Sequence, residues 1–136
     1  MIVLDASTLI AFLDPSDALH ATAVASLLTC SEHELAVSPI THAEILVGPT
    51  RAGTLSRTQD ALTALRVCEI GLPVDAAPRL AALRAGTRLR LPDCCVILAA
   101  QQCAGAVLAF DNRLTAVARE CQVAVHEPSP AHDLPS

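Results

Sequence analysis

Short apolar runs alternate along this chain with longer segments whose apolar residues recur three or four positions apart. Ile2-Val3-Leu4 is apolar throughout and stops at Asp5, the pattern of a strand buried on both faces. A helix is expected from there to position 13, where Asp14-Pro15 breaks it, because the residue before a proline is pushed out of the helical region. A second helix, capped by Ser16 or Asp17, carries Leu19, Ala23, Leu27 and Leu28. ELAVS at 34–38 reads as the second strand, followed by a helix at 39–47 that Gly48-Pro49 should stop. A helix at 54–67 places Leu55, Leu62 and Leu65 on one side and runs into a short strand at 67–70. Asp75 caps a helix to 85, with Gly86 as the residue just past its end and Pro78 tolerated in its first turn. Pro92 suits the first position of a helix reaching 103. A strand at 106–110, a helix at 112–121 and a last strand at 123–125 complete the series. Strands alternating with helices predict a central parallel sheet covered on both faces, a three-layer α/β/α sandwich.

The 136 residues fit one domain, expected over 1–126, with a loose, proline-containing tail at 127–136. No apolar stretch approaches the roughly 20 residues needed to cross a bilayer. Met1 leads straight into the first strand with no basic leader, so a cytoplasmic location is expected. In that compartment the six cysteines read as free thiols, used as small buried hydrophobes. No C-x-x-C pair exists, which argues against a structural zinc site. With 52% hydrophobic residues, the composition is compatible with a self-associating or partner-covered surface, although the abundance of alanine inflates that figure.

A net charge of −5 is unusual for a protein that handles nucleic acid. Two features change that picture. All nine basic residues are arginine, which forks onto phosphate better than lysine does, and acids gathered in one site can be neutralised by a divalent cation. Phe12 and Phe110 are the only aromatics, so base stacking is excluded as a major device.

Four acids fall where a parallel sheet places ligands, beyond the carboxyl ends of its strands. Asp5 follows the first strand and Asp111 follows VLAF, while Glu44 lies early in the helix after ELAVS and Asp93 in the first turn of its own helix. Singly, Asp5 and Asp111 also suit helix N-caps, and Glu44 and Asp93 also suit a helix dipole. Together they would repel one another in one crevice, raising carboxyl pKa values unless a hard cation such as Mg²⁺ or Mn²⁺ binds. Such a site suits hydrolysis of a phosphodiester. Arg88 and Arg90 on the loop before Asp93, and Arg113 after Asp111-Asn112, are either phosphate guides or solvated arginines. His42, close to Glu44, receives no role.

MIVLDASTLIAFL at 1–13, SPITHAEILVGPTRAG at 38–53, LRLPDCCVILAA at 89–100 and VLAFDNRL at 107–114 resemble the four motifs of PIN-domain proteins, and in length and spacing the small toxin ribonucleases of the VapC type. The resemblance covers residues 1 to about 126. It implies that Asp5, Glu44, Asp93 and Asp111 are the metal-site acids. It places Ser7 in a supporting position beside the first of them, a place an ordinary first-turn serine would also fill, with Asn112 a further support residue. It also implies endonucleolytic cutting of structured RNA such as tRNA or rRNA, a Mg²⁺ or Mn²⁺ requirement, a homodimer and a cognate antitoxin. Relatives often have Thr or Ser immediately before the fourth acid. Here Ala109-Phe110 precede Asp111, which removes one supporting hydroxyl.

Other enzyme classes fit less well. His42-Ala43-Glu44 mimics the H-x-E of zinc deaminases, but Pro92-Asp93-Cys94-Cys95 lacks the P-C-x-x-C spacing. A phosphatase or receiver domain would need a lysine, and a P-loop its G-K-[ST]; both are missing. A non-catalytic RNA- or protein-binding module on the same fold stays open as the alternative from a different class.

Overall fold

The computed structural model describes residues 1–133. Its sheet has four strands, β1 (Ile2–Leu4), β2 (Leu35–Val37), β3 (Val67–Glu69) and β4 (Ala106–Leu108), all parallel and ordered β3-β2-β1-β4. Seven helices flank it: α1 (Ala6–Leu13), α2 (His20–Thr29), α3 (Pro39–Ala52), α4 (Leu55–Ala64), α5 (Ala76–Gly86), α6 (Leu91–Cys103) and α7 (Asn112–Glu120).

Strand alternation splits the core into two layers. Val3, Ala36 and Val107 face one way and pack with residues of α6 and α7, with Leu80 and Leu83 of α5 against them. Ile2, Leu4, Leu35, Val37 and Leu108 face the other way, against Leu9, Leu27, Ile45 and Leu62 of α1 to α4. The apolar runs of β1 and β2 follow from this, since both of their faces are covered. The chain winds outward from β1 to β2 and β3, then returns to lay β4 on the far side of β1. The sheet therefore has its topological switch point between β1 and β4, where open α/β folds form their ligand crevice.

Several expected boundaries move. Gly48-Pro49 does not end α3, which continues to Ala52; its cap is Gly53, in the left-handed region at φ 73°, whose N–H bonds Pro49 and Thr50 carbonyls. Thr50 Oγ1 also donates to the Leu46 carbonyl at 2.6 Å, so the last turn is held locally. The helix α2 starts at His20, because Asp14 and Asp17 cap turns at Ser16 and Leu19 instead. Leu91, not Pro92, is the first residue of α6, and Gly86 is the last residue of α5 rather than the one beyond it. Left-handed Arg66 separates the shorter α4 from β3. The expected final strand reduces to one parallel bridge, Val107 to Val125. Residues 127–133, expected to be loose, lie along α2, where the Ser129 N–H bonds Ser26 Oγ at 2.8 Å. The last three residues of the expected tail, 134–136, fall outside the described residues. Cysteines 30, 94 and 95 are buried as expected, but Cys68 is exposed on the edge strand β3. No helix of the described residues is long and apolar enough to cross a membrane.

Candidate active site

The carboxyl ends of β1 and β4 open into a cleft of about 380 Å³. Asp5, Glu44, Asp93 and Asp111 all line it, with Ser7 and Thr41 among the neighbouring walls. Four acids spread over more than a hundred positions of sequence thus meet from four different elements.

Asp5 is the most firmly placed. It is 4% exposed and caps α1. Its Oδ1 accepts from the Thr8 N–H at 3.0 Å and Thr8 Oγ1 at 2.6 Å, and its Oδ2 accepts from Ser7 Oγ at 2.7 Å. Hydrogen bonds to the ionised form on both oxygens offset the cost of burying that charge. Asp111 caps α7 in the same way: its Oδ1 accepts from the Arg113 and Leu114 N–H groups at 2.8 and 3.4 Å, leaving Oδ2 for another partner.

Glu44 and Asp93 differ. Neither makes a hydrogen bond or ion pair among the described residues. Desolvation raises the Glu44 pKa, and the charges of Asp93 and Asp5 raise it further. Desolvation also raises that of Asp93, with Asp111 and Asp5 adding to it, while Arg90 and Arg113 pull the other way. Repulsion from neighbouring acids thus adds to desolvation at both of these helix-borne acids.

The donor set is all oxygen, four carboxylates and nearby hydroxyls, with no Cys or His in the cleft lining. This chemistry fits a hard divalent cation such as Mg²⁺ or Mn²⁺. Among the described residues, no three His, Cys, Asp or Glu side chains are already drawn together at ligating distance.

Of the other candidates, Ser7 does support Asp5. Asn112 opens α7 and is exposed. Arg88, Arg90 and Arg113 are exposed and, among the described residues, free of ion pairs and hydrogen bonds through their side chains, and only the latter two act on Asp93. His42 faces a different pocket, its Nδ1 2.9 Å from Glu69 Oε1. Sequence reasoning missed Thr8 and Thr41. Thr8 is wholly buried, donates to Asp5, and had a signal: a hydroxyl three residues past an N-cap acid. Thr41, buried at the same distance after the Ser38 cap of α3, repeats it.

A family model for the PIN domain matches residues 2–120. The chain belongs to the PIN-domain family. Solved structures with a similar fold include toxin–antitoxin proteins. A toxin–antitoxin complex from Klebsiella pneumoniae is 25% identical, with a TM-score of 0.67 over 83% of this chain and 88% of that one. VapC20 from Mycobacterium tuberculosis, described as a sarcin-ricin loop cleaving toxin, is 16% identical, with a TM-score of 0.71 over 86% of this chain and 95% of that one. VapBC2 from Rickettsia felis, bound to a DNA fragment from its promoter, is 14% identical, with a TM-score of 0.70 over 95% and 100%. No curated protein matches this chain in sequence. The fold these neighbours share is the α/β/α sandwich expected from the alternating pattern.

Proposed function

We propose that this PIN domain is a Mg²⁺- or Mn²⁺-dependent endoribonuclease, acting in the cytoplasm as the toxin of a toxin–antitoxin pair. The observation that carries the reading is the meeting of Asp5, Glu44, Asp93 and Asp111 in one cleft at the topological switch point of the sheet. Two of the four are held ready by caps, and two are desolvated and without hydrogen-bond partners. A bound divalent cation supplies an activated water and stabilises the leaving oxygen of a phosphodiester. Asp5 and Asp93 would hold it, with Asp111 Oδ2 and Glu44 completing the oxygen set. Ser7 and Thr8 fix the Asp5 carboxylate in orientation through their hydroxyl hydrogen bonds. In this reading the nuclease unit is residues 1–126, the substrate is a structured RNA such as tRNA or rRNA, and the working form is a homodimer restrained by a cognate antitoxin. The toxin–antitoxin complexes among the structural neighbours support the antitoxin partner.

The test compares wild type with Asp93→Asn on total RNA, with and without Mn²⁺. Asp93→Asn is the sharper variant, because Asp93 carries no hydrogen bond whose loss would confuse activity with folding. Discrete fragments are expected only from wild type with metal. Equal fragments from both proteins, or none from wild type with Mn²⁺, would overturn the reading, the second in favour of a non-catalytic module.

A further inference from the structure

Four acids make the cleft a poor place for a polyanion to land, and the chain as a whole is at −5. Positive charge near the site is correspondingly informative. Of the nine arginines, Arg79 and Arg119 are held in ion pairs with Asp75 and Glu127. Among the described residues Arg90 and Arg113 have no ion pair; both are exposed and close enough that their charges act on Asp93. They reach it from two elements, Arg90 as the N-cap residue of α6 and Arg113 in the first turn of α7.

Their backbones are fixed to the site itself. The Arg113 N–H donates to Asp111 Oδ1 at 2.8 Å, and the Arg90 carbonyl accepts the Cys94 N–H at 3.0 Å, closing the first turn that carries Asp93. The opposite rim is different. Among the described residues α1 carries no arginine, and the single one on α3 is Arg51 at its far end. The cleft thus has an acidic floor and a cationic rim at the starts of α6 and α7; on the α1–α3 side Arg57 of α4 lines the adjoining pocket with Ile10 and Ile45 rather than the cleft itself.

We propose that Arg90 and Arg113 form a two-point clamp on the RNA backbone, gripping phosphates beside the one that is cut and making the α6–α7 rim the side on which RNA enters. The proposal rests on the nuclease reading above. A guanidinium with no competing carboxylate forks onto phosphate oxygens, and a pair of them fixes the strand in register without reading its bases. The scarcity of aromatics fits this, since backbone charge rather than stacking must then hold the strand.

The test is fluorescence anisotropy with a fluorescein-labelled hairpin RNA in Ca²⁺, over about 50–200 mM salt. Wild type, Arg90→Gln/Arg113→Gln and Arg90→Lys/Arg113→Lys are compared, and Mn²⁺ binding is measured on the same proteins. The glutamine pair is expected to bind roughly tenfold more weakly and to lower the slope of log Kd against log salt by about 1.4, two contacts' worth. The lysine pair should recover most of that slope, because the charge remains. If the slope is unchanged in the glutamine pair while Mn²⁺ binding weakens, the two arginines serve only Asp93 and the clamp is overturned, with the nuclease reading intact. If wild type itself does not bind the hairpin, the nuclease reading falls and the clamp with it.

Discussion

The strand-end corner of the cleft and its helical wall hold the same kind of side chain in opposite conditions. At the corner, Asp5 and Asp111 follow β1 and β4, cap α1 and α7, and accept hydrogen bonds. On the wall, Glu44 and Asp93 project from α3 and α6 with no hydrogen bond, pushed toward protonation by desolvation and by their neighbours. The corner acids do structural work even without a ligand. The wall acids are desolvated and repelled by their neighbours, with no hydrogen bond among the described residues to offset either. In the proposed cation site, half of the ligands would be built in by capping and the other half held in place against their own repulsion.

The largest effect should be on cleavage, and it should not respect the division. Asp5→Asn and Asp93→Asn are both expected to lose on the order of 10²–10³-fold in RNA cleavage with Mn²⁺, the size of loss when a transition-state charge partner is removed. A cleavage assay in which only one of them loses activity would show that corner and wall are not one site.

Stability should then separate what activity joins. Asp5→Ala removes an N-cap and two hydroxyl partners, and is expected to cost about 1–3 kcal/mol, read as a fall of roughly 3–5 °C in Tm per kcal/mol. Asp93→Asn removes desolvation and repulsion that outweigh the attraction of Arg90 and Arg113, so the metal-free variant should melt a few degrees above wild type. A lower Tm for Asp93→Asn would mean that Asp93 has a structural partner after all.

A smaller effect is the dependence on pH. Glu44 and Asp93 have folded-state pKa values above their unfolded values, so the folded protein holds these protons more tightly. Their contribution is full below the ordinary carboxylate range near about pH 4 and is lost as pH rises through the raised folded values. Metal-free wild type should therefore lose more stability between about pH 4 and 7 than Glu44→Gln/Asp93→Asn, measured as the difference between their Tm curves. Parallel curves would contradict the assigned repulsion. The smallest effect belongs to Ser7→Ala, expected to weaken Mn²⁺ binding about tenfold while the fold is kept.

How much of this the sequence disclosed follows the same division. The corner was legible because a strand-ending apolar run, an acid and a following helix are all local signals, so Asp5 and Asp111 could be placed without tertiary information. The sheet order that makes them neighbours, β4 returning beside β1, is not local, and rested on the general rule for parallel sheets. Boundaries failed where a tertiary or local hydrogen bond overrode a breaker: Gly48-Pro49 sits inside α3 because Gly53 provides the better stop. Thr8 and Thr41 were missed because their one local signal, a hydroxyl three residues past an N-cap, marks a first-turn threonine without saying that it is buried beside a cleft. Its role appears only when the acid it bonds, or the cleft it lines, is in view.

The most direct measurement is calorimetric titration of Mn²⁺ into wild type and into Asp5→Asn, Glu44→Gln, Asp93→Asn and Asp111→Asn. If corner and wall hold one cation site, each of the four changes weakens binding by about tenfold or more. Wild-type affinity in either Glu44→Gln or Asp111→Asn would remove that acid from the site and contradict the four-carboxylate account.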